Sequence, residues 1–121
     1  MIGKAYKSLV PYFDKRTNKN SFKGRPCLII GKADASDYVV LPISTIPDKT
    51  KIDPNFDIPL DKSIYTFLNQ DSYLRTHKQT IVNTASLRDQ LADFKVSYEE
   101  TYIEAMLKFE EFNKNLIANA L

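Results

Sequence analysis

The hydrophobic period of this chain changes once, and that change limits the folds open to it. From Lys4 to Asn83 the apolar residues come in short β-branched and aromatic runs divided by Pro, Gly, Asn and Asp, the pattern of strands and turns. Near the C-terminus they recur every three or four residues, at Tyr98, Tyr102, Met106, Phe109, Phe112 and Leu116, the stripe of an amphipathic helix. Ser97 and Glu100 supply an S-x-x-E capping box at its start. Strands first and a helix last predict a mainly β domain, α+β by content, in which a C-terminal helix packs on a small barrel or sandwich.

The strands can be placed one by one. Lys4 to Val10 reads as the first, closed by Pro11, and Tyr12 to Lys23 as a polar loop. A loop this long is either functional or a loose connector. Its Lys15, Arg16, Lys19 and Lys23 suit phosphates, its Asn18 and Asn20 can hydrogen-bond RNA, and Tyr12, Phe13 and Phe22, with Tyr73 further on, can stack bases or simply join the core. Arg25 to Ile30, bounded by Gly24 and Gly31, predicts a buried strand, and Tyr38 to Ile46 its hairpin partner, with Pro42 at an edge or bulge. Shorter strands follow at residues 57–60, 73–76 and 80–83, then a helical turn from Thr84 through Leu87 and Leu91.

At 121 residues, 43% of them hydrophobic and including seven Tyr and seven Phe, one domain spanning 1–121 can form its core without disulfides or a structural metal. Cys27 is the lone cysteine, no apolar leader follows Met1-Ile2-Gly3-Lys4, and no apolar run approaches the roughly 20 residues of a membrane span. The expectation is a cytoplasmic protein with no membrane partner. Net charge is only +2, but it is polarised: residues 1–32 hold eight Lys and Arg against Asp14, whereas residues 89–121 hold seven acids against three bases. One end of the molecule can meet phosphates while the other repels them.

The sequence contains no C-x-x-C, H-E-x-x-H, G-x-S-x-G or Walker-type glycine loop, and His77 is alone. A zinc site, a serine triad and a P-loop therefore find no support. What remains is a set of polar residues at strand ends: Arg25, Ser44, Thr45, Asp71, Arg75, Thr76 and His77.

The order of these residues, Gly24-Arg25-Pro26 before an apolar strand, Leu41-Pro42-Ile43-Ser44-Thr45 at the end of the next, then Gln70-Asp71 and Arg75-Thr76, resembles the MazF/PemK family of toxin endoribonucleases. The resemblance runs from about Gly3 to Leu87, with the last helix matching in position. It implies an SH3-like small barrel of the PemK/CcdB type, an obligate homodimer, and sequence-selective cleavage of single-stranded RNA with no metal and no other cofactor. It further implies a cognate antitoxin that holds the protein inactive, and it makes Arg25 and Ser44 the catalytic arginine and hydroxyl.

Those roles also make chemical sense. Cutting RNA without a metal uses the ribose 2′-OH as nucleophile, so the protein must position it, accept a proton and stabilise a dianionic phosphorane. The Arg25 guanidinium can hold two phosphate oxygens in a fork, or else form a structural ion pair at the start of its strand. Ser44, or its neighbour Thr45, can hydrogen-bond a phosphate oxygen, or merely cap a strand end. Asp71 stands where some relatives carry a proton-accepting carboxylate, but one more residue separates it from Arg75 than in the D-Q-x-R pattern, and an Asp before Ser72 also suits a turn. His77 has the intrinsic pKa for acid or base work, or is an inert surface histidine. Arg75 and Thr76 complete the expected RNA contacts. The first loop lacks the histidine that some relatives place there, which keeps open two alternatives: a toxin of the same fold that binds DNA gyrase, and a catalytically decayed RNA-binding module.

Overall fold

The computed structural model describes residues 1–121, apart from the side chains of Pro11 and Tyr12. Seven strands and a C-terminal helix form it: β1 (Lys4–Asp14), β2 (Lys19–Lys32), β3 (Asp37–Ser44), β4 (Asp57–Leu60), β5 (Ser72–Arg75), β6 (Thr80–Asn83) and β7 (Leu87–Asp93), then a short α1 (Phe94–Ser97) and the long α2 (Glu99–Ala120). The order β4-β5-β3-β2-β1-β7, with β6 also on β3, gives a curled half-barrel sheet, the small α+β architecture expected. No helix among the described residues is long and apolar enough to cross a membrane.

β3 organises the sheet. One edge pairs with β2 from Lys32↔Tyr38 to Cys27↔Pro42. The other edge is shared: Asp37 to Val40 pair with β6, and Ile43 and Ser44 with β5. Pro42 falls in the gap between them, where no outer strand waits for the amide hydrogen that proline lacks. The edge-or-bulge expectation thus resolves as a change of partner.

Alternation along β2 and β3 sends successive side chains to opposite faces. Leu28, Leu41 and Ile43 enter the main core with Ile58, Leu60, Leu74 and Phe94, which α2 covers through Tyr98, Tyr102, Met106 and Phe109. Cys27, Ile29 and Val40 form a smaller cluster on the other face, sealed by Tyr6, Tyr38, Val82 and Leu87. The predicted stripe packs as far as Phe112, whose ring meets Phe56 edge-on at 5.4 Å. Leu116 is 53% exposed, so the last turns of α2 overhang the body. Glu99, Glu100, Glu104, Glu110 and Glu111 form the solvated outer face of α2.

Three expectations change. Residues 12–23 are not a loop: β1 and β2 pair to Asp14↔Lys19, making a long hairpin arm whose turn, residues 15–18, ends at Asn18 in the left-handed region with φ 55°. Asparagine tolerates that conformation, and β7 covers β1 only up to Ser8, so beyond it β1 is an edge strand where a proline does not end pairing. The turn after Thr84 is a single 3-10 turn, Thr84–Ser86, and Leu87 and Leu91 lie in β7, because the chain must return along β1 to close the sheet edge. The Ser97-Glu100 capping box does not form. Asp93 caps α1 instead, its carboxylate accepting from the Lys95 amide at 3.1 Å, and α2 starts after Tyr98 without a side-chain cap. Tyr98 is held there by rings, with Tyr65 at 4.6 Å and Phe94 at 5.2 Å between centroids.

Beneath α2, a polar group locks β4 to β5. Asp57 and Arg75 are cross-strand partners, and the guanidinium forks onto the carboxylate through Nε at 3.0 Å and Nη2 at 3.3 Å. The Asp57 side chain is fully buried and also accepts from the Asp53 amide at 2.8 Å. Removing one member of such a pair strands a buried charge, at a cost of about 3–5 kcal/mol. Arg75→Met should therefore lower unfolding stability by about 3 kcal/mol in urea titration; a loss under about 0.5 kcal/mol would show that the pair carries no such weight.

Candidate functional site

The end of β3 and the middle of β2 meet in an open cleft of about 330 Å³. Arg25, Ser44 and Thr45, separated by about twenty residues in sequence, all line it, and so does Lys23. Arg25 is exposed, and none of the salt bridges or side-chain hydrogen bonds among the described residues involves it. The structural ion pair considered for it is not formed. Ser44 is half-buried and Thr45 exposed, so the pair is staged from floor to rim.

Lys7, Asn69 and Gln70 also line the cleft; sequence reasoning gave none of them a site role and met Gln70 only within the Gln70-Asp71 motif. Lys7 sits in the first strand, and the excess of base in residues 1–32 includes it. Its stem crosses β2 at Gly24, where an added Cβ would come within 2.8 Å of the Lys7 Cδ. The glycine thus gives the lysine a path over the strand. Asn69 and Gln70 come from the connection between β4 and β5, for which no strand or helix signal exists. That connection is pinned at both ends: Asp61 takes the Ser63 amide and hydroxyl at 2.8 Å each, and Asp71 takes the Lys62 amide at 2.9 Å.

Asp71 therefore closes a loop, and it does not line the cleft. Neither does His77, which lies under α2 between Phe56 and Phe112, with Nδ1 3.8 Å from an Asp57 oxygen. Arg75 is spent on Asp57, and Thr76 is fully buried with its hydroxyl donating to the Phe56 carbonyl at 2.6 Å. These expected site residues belong to the polar lock of β4 and β5, at a different place from the cleft. Lys15, Arg16, Asn18, Lys19 and Asn20 are exposed on the distal hairpin arm, with Arg16 Nε 3.6 Å from Asp14. Phe13 and Phe22, 54% and 69% exposed, lie on the same arm with their rings open to solvent, while the stacking role considered for Tyr12 lies outside the described residues.

The cleft's electrostatics are one-sided. Lys7, Lys23 and Arg25 supply positive charge, Ser44, Thr45, Asn69 and Gln70 supply hydrogen-bonding groups, and no carboxylate is in the lining. Such a surface attracts an anion and can orient it, since the guanidinium fork fits two oxygens of a phosphate or carboxylate. Cys27 adds nothing to its chemistry: burial pushes the thiol up to about 11, so little thiolate exists near neutrality. Among the described residues no group of three His, Cys, Asp or Glu comes together to hold a metal. No family model and no curated protein matches the chain.

His77 has a separate consequence. Burial holds its pKa below the usual value, against the opposing pull of Asp57 and Asp53, and its Nδ1 has no hydrogen-bond partner among the described residues. With the folded pKa depressed, the unfolded chain binds the proton more readily, so this contribution to stability is present above about pH 6.5 and is lost as pH falls through the folded value. In urea titrations at pH 7.5 and 5.0, the wild type should lose more stability than His77→Gln. Equal losses would mean that His77 is not coupled to folding.

Proposed function

We propose that this chain is the toxin component of a toxin-antitoxin system, a sequence-selective endoribonuclease of the MazF/PemK type that cuts single-stranded RNA by 2′-OH attack. The observation that carries this reading is the convergence of Arg25, Ser44 and Thr45 with Lys7 and Lys23 on one open cleft free of carboxylates. A flexible polyanion suits such a surface better than a small neutral substrate.

In this reading the lysines hold the strand and Arg25 forks onto the nonbridging oxygens of one phosphate. The 2′-oxygen attacks the phosphorus, the bond to the 5′-oxygen breaks, and the products are a 2′,3′-cyclic phosphate and a 5′-hydroxyl. Arg25 opposes the charge that gathers on the phosphorane, and the Ser44 hydroxyl donates to a phosphate oxygen. No carboxylate or imidazole lines the cleft, so the 2′-OH proton passes to water or to a nonbridging phosphate oxygen, the departing 5′-oxygen takes a proton from the same source to leave as the hydroxyl, and catalysis rests on position and charge. Homodimerisation and a cognate antitoxin belong to the same proposal, and the overhanging Leu116, Ile117 and Leu121 are surface that such partners would cover.

The lack of a proton acceptor favours one second reading, an RNA-binding module of the same fold that does not cleave. One experiment separates them: purified protein is incubated with a long single-stranded RNA in excess EDTA and the new ends are mapped. Discrete cuts with cyclic-phosphate ends, slowed at least about 100-fold in Arg25→Ala at unchanged melting temperature, are the expected result. RNA bound but uncut supports the second reading, and cutting at the wild-type rate by folded Arg25→Ala removes Arg25 from the mechanism.

A further inference from the structure

A second cavity, about 200 Å³, adjoins the cleft and shares Arg25, Pro26, Ile43 and Ser44 with it. Its remaining walls are mostly aliphatic, with Val10, Val40, Pro42 and Val82 among them, and Arg25 is the only charged residue among the described residues that line it. Its polar exceptions are Ser44, Thr80 and Ser8. Thr80 already donates to the Lys78 carbonyl at 3.1 Å. Ser8 is different: it is 3% exposed, and its Oγ has no hydrogen-bond partner among the described residues. Native proteins rarely leave a buried hydroxyl unpaired without a reason. Ser8 is also the cross-strand partner of Arg25, so the two side chains rise side by side from the same face of the sheet.

We propose that this cavity receives one unstacked pyrimidine base of a nucleic-acid strand whose adjoining phosphate is held by Arg25, with the Ser8 hydroxyl hydrogen-bonding a polar edge of the ring. The inference rests on the RNA reading of the neighbouring cleft and adds to it the base that is read. Aliphatic walls offer a planar ring the apolar cover it loses on unstacking. Size selects among bases: a dry cavity of about 150 Å³ accepts a benzene ring, so 200 Å³ takes one six-membered ring with its substituents and leaves little room for a purine. Because a hydroxyl both donates and accepts, Ser8 serves the carbonyl edge of uracil and the amino edge of cytosine alike. Discrimination is therefore by ring size, pyrimidine over purine. A carboxylate or phosphate would find no second cation inside, which assigns the anion to the cleft and the ring to the cavity.

Amide chemical shifts of the full-length protein, titrated separately with uridine, cytidine and adenosine 3′-monophosphates, test this. Thr80, exposed on the rim, is replaced in a plugging variant, Thr80→Phe, and the hydroxyl is removed in Ser8→Ala. The expected result is that both pyrimidine nucleotides shift Ser8, Val40 and Val82 as well as Gly24 and Arg25, and bind about tenfold tighter than the adenosine nucleotide. Thr80→Phe should abolish that preference while the shifts at Gly24 and Arg25 persist, and Ser8→Ala should weaken pyrimidine binding about fivefold without loss of melting temperature. Equal affinity for all three with shifts confined to Gly24 and Arg25 overturns the pocket and leaves the RNA reading standing. Shifts at the cavity that follow protein concentration rather than nucleotide assign it to a second copy of the chain and overturn the pocket also. No shift at Gly24 and Arg25 with any nucleotide overturns the RNA reading and the pocket with it.

Discussion

β3 can serve β2 on one edge and both β5 and β6 on the other because Pro42 interrupts the outer edge, between Val40, the last residue paired with β6, and Ile43, the first paired with β5. The split lets the sheet curl. It also ends β3 at Ser44, beside the middle of β2, where Arg25 stands. The cleft and the smaller cavity lie on either side of this junction, sharing Arg25, Pro26, Ile43 and Ser44.

The molecule handles polar side chains in two opposite ways. Under α2, Asp57, Arg75 and Thr76 satisfy one another or the backbone, and His77 is enclosed by rings. Asp57, Arg75 and Thr76, so paired, have no capacity left for a ligand, and their value lies in fixing β4 against β5. In the cleft, Lys7, Lys23 and Arg25 meet no counter-charge, and Ser44 and Thr45 are open. Uncompensated like charges close together repel, so their gathering is easier to understand as preparation for an anion than as a contribution to stability. The path given to Lys7 by Gly24 and the pinning of the Asn69-Gln70 segment by Asp61 and Asp71 point the same way.

Much of the fold is legible in the sequence because period and punctuation are local signals: the strands around Arg25–Ile30 and Tyr38–Ser44, and the helix stripe to Phe112, follow from them. The hairpin arm is not, because Pro11 reads as a stop unless one knows that β7 leaves that part of β1 at an edge. The helix start is not, because Asp93 and the ring cluster around Tyr98 outcompete the Ser97 cap only once Phe94 is buried. In the site, Arg25 and Ser44 carry a motif and line one cleft, while Arg75-Thr76-His77 carry an equally visible motif and serve the interior. Sequence alone does not separate these, since burial of Thr76 and the Asp57 fork depend on where β4 lands. Lys7 and Asn69 reach the cleft through tertiary placement and leave no local trace.

On the proposed function, RNA meets this protein at the Arg25–Ser44 junction and nowhere on the Asp57 lock. Cross-linking a photoreactive single-stranded RNA to the intact protein and sequencing the adducts tests it most directly. Adducts on residues 23–26, 43–45 and 67–70 are the predicted result; adducts confined to residues 75–78 or to the arm at residues 15–20 would contradict it.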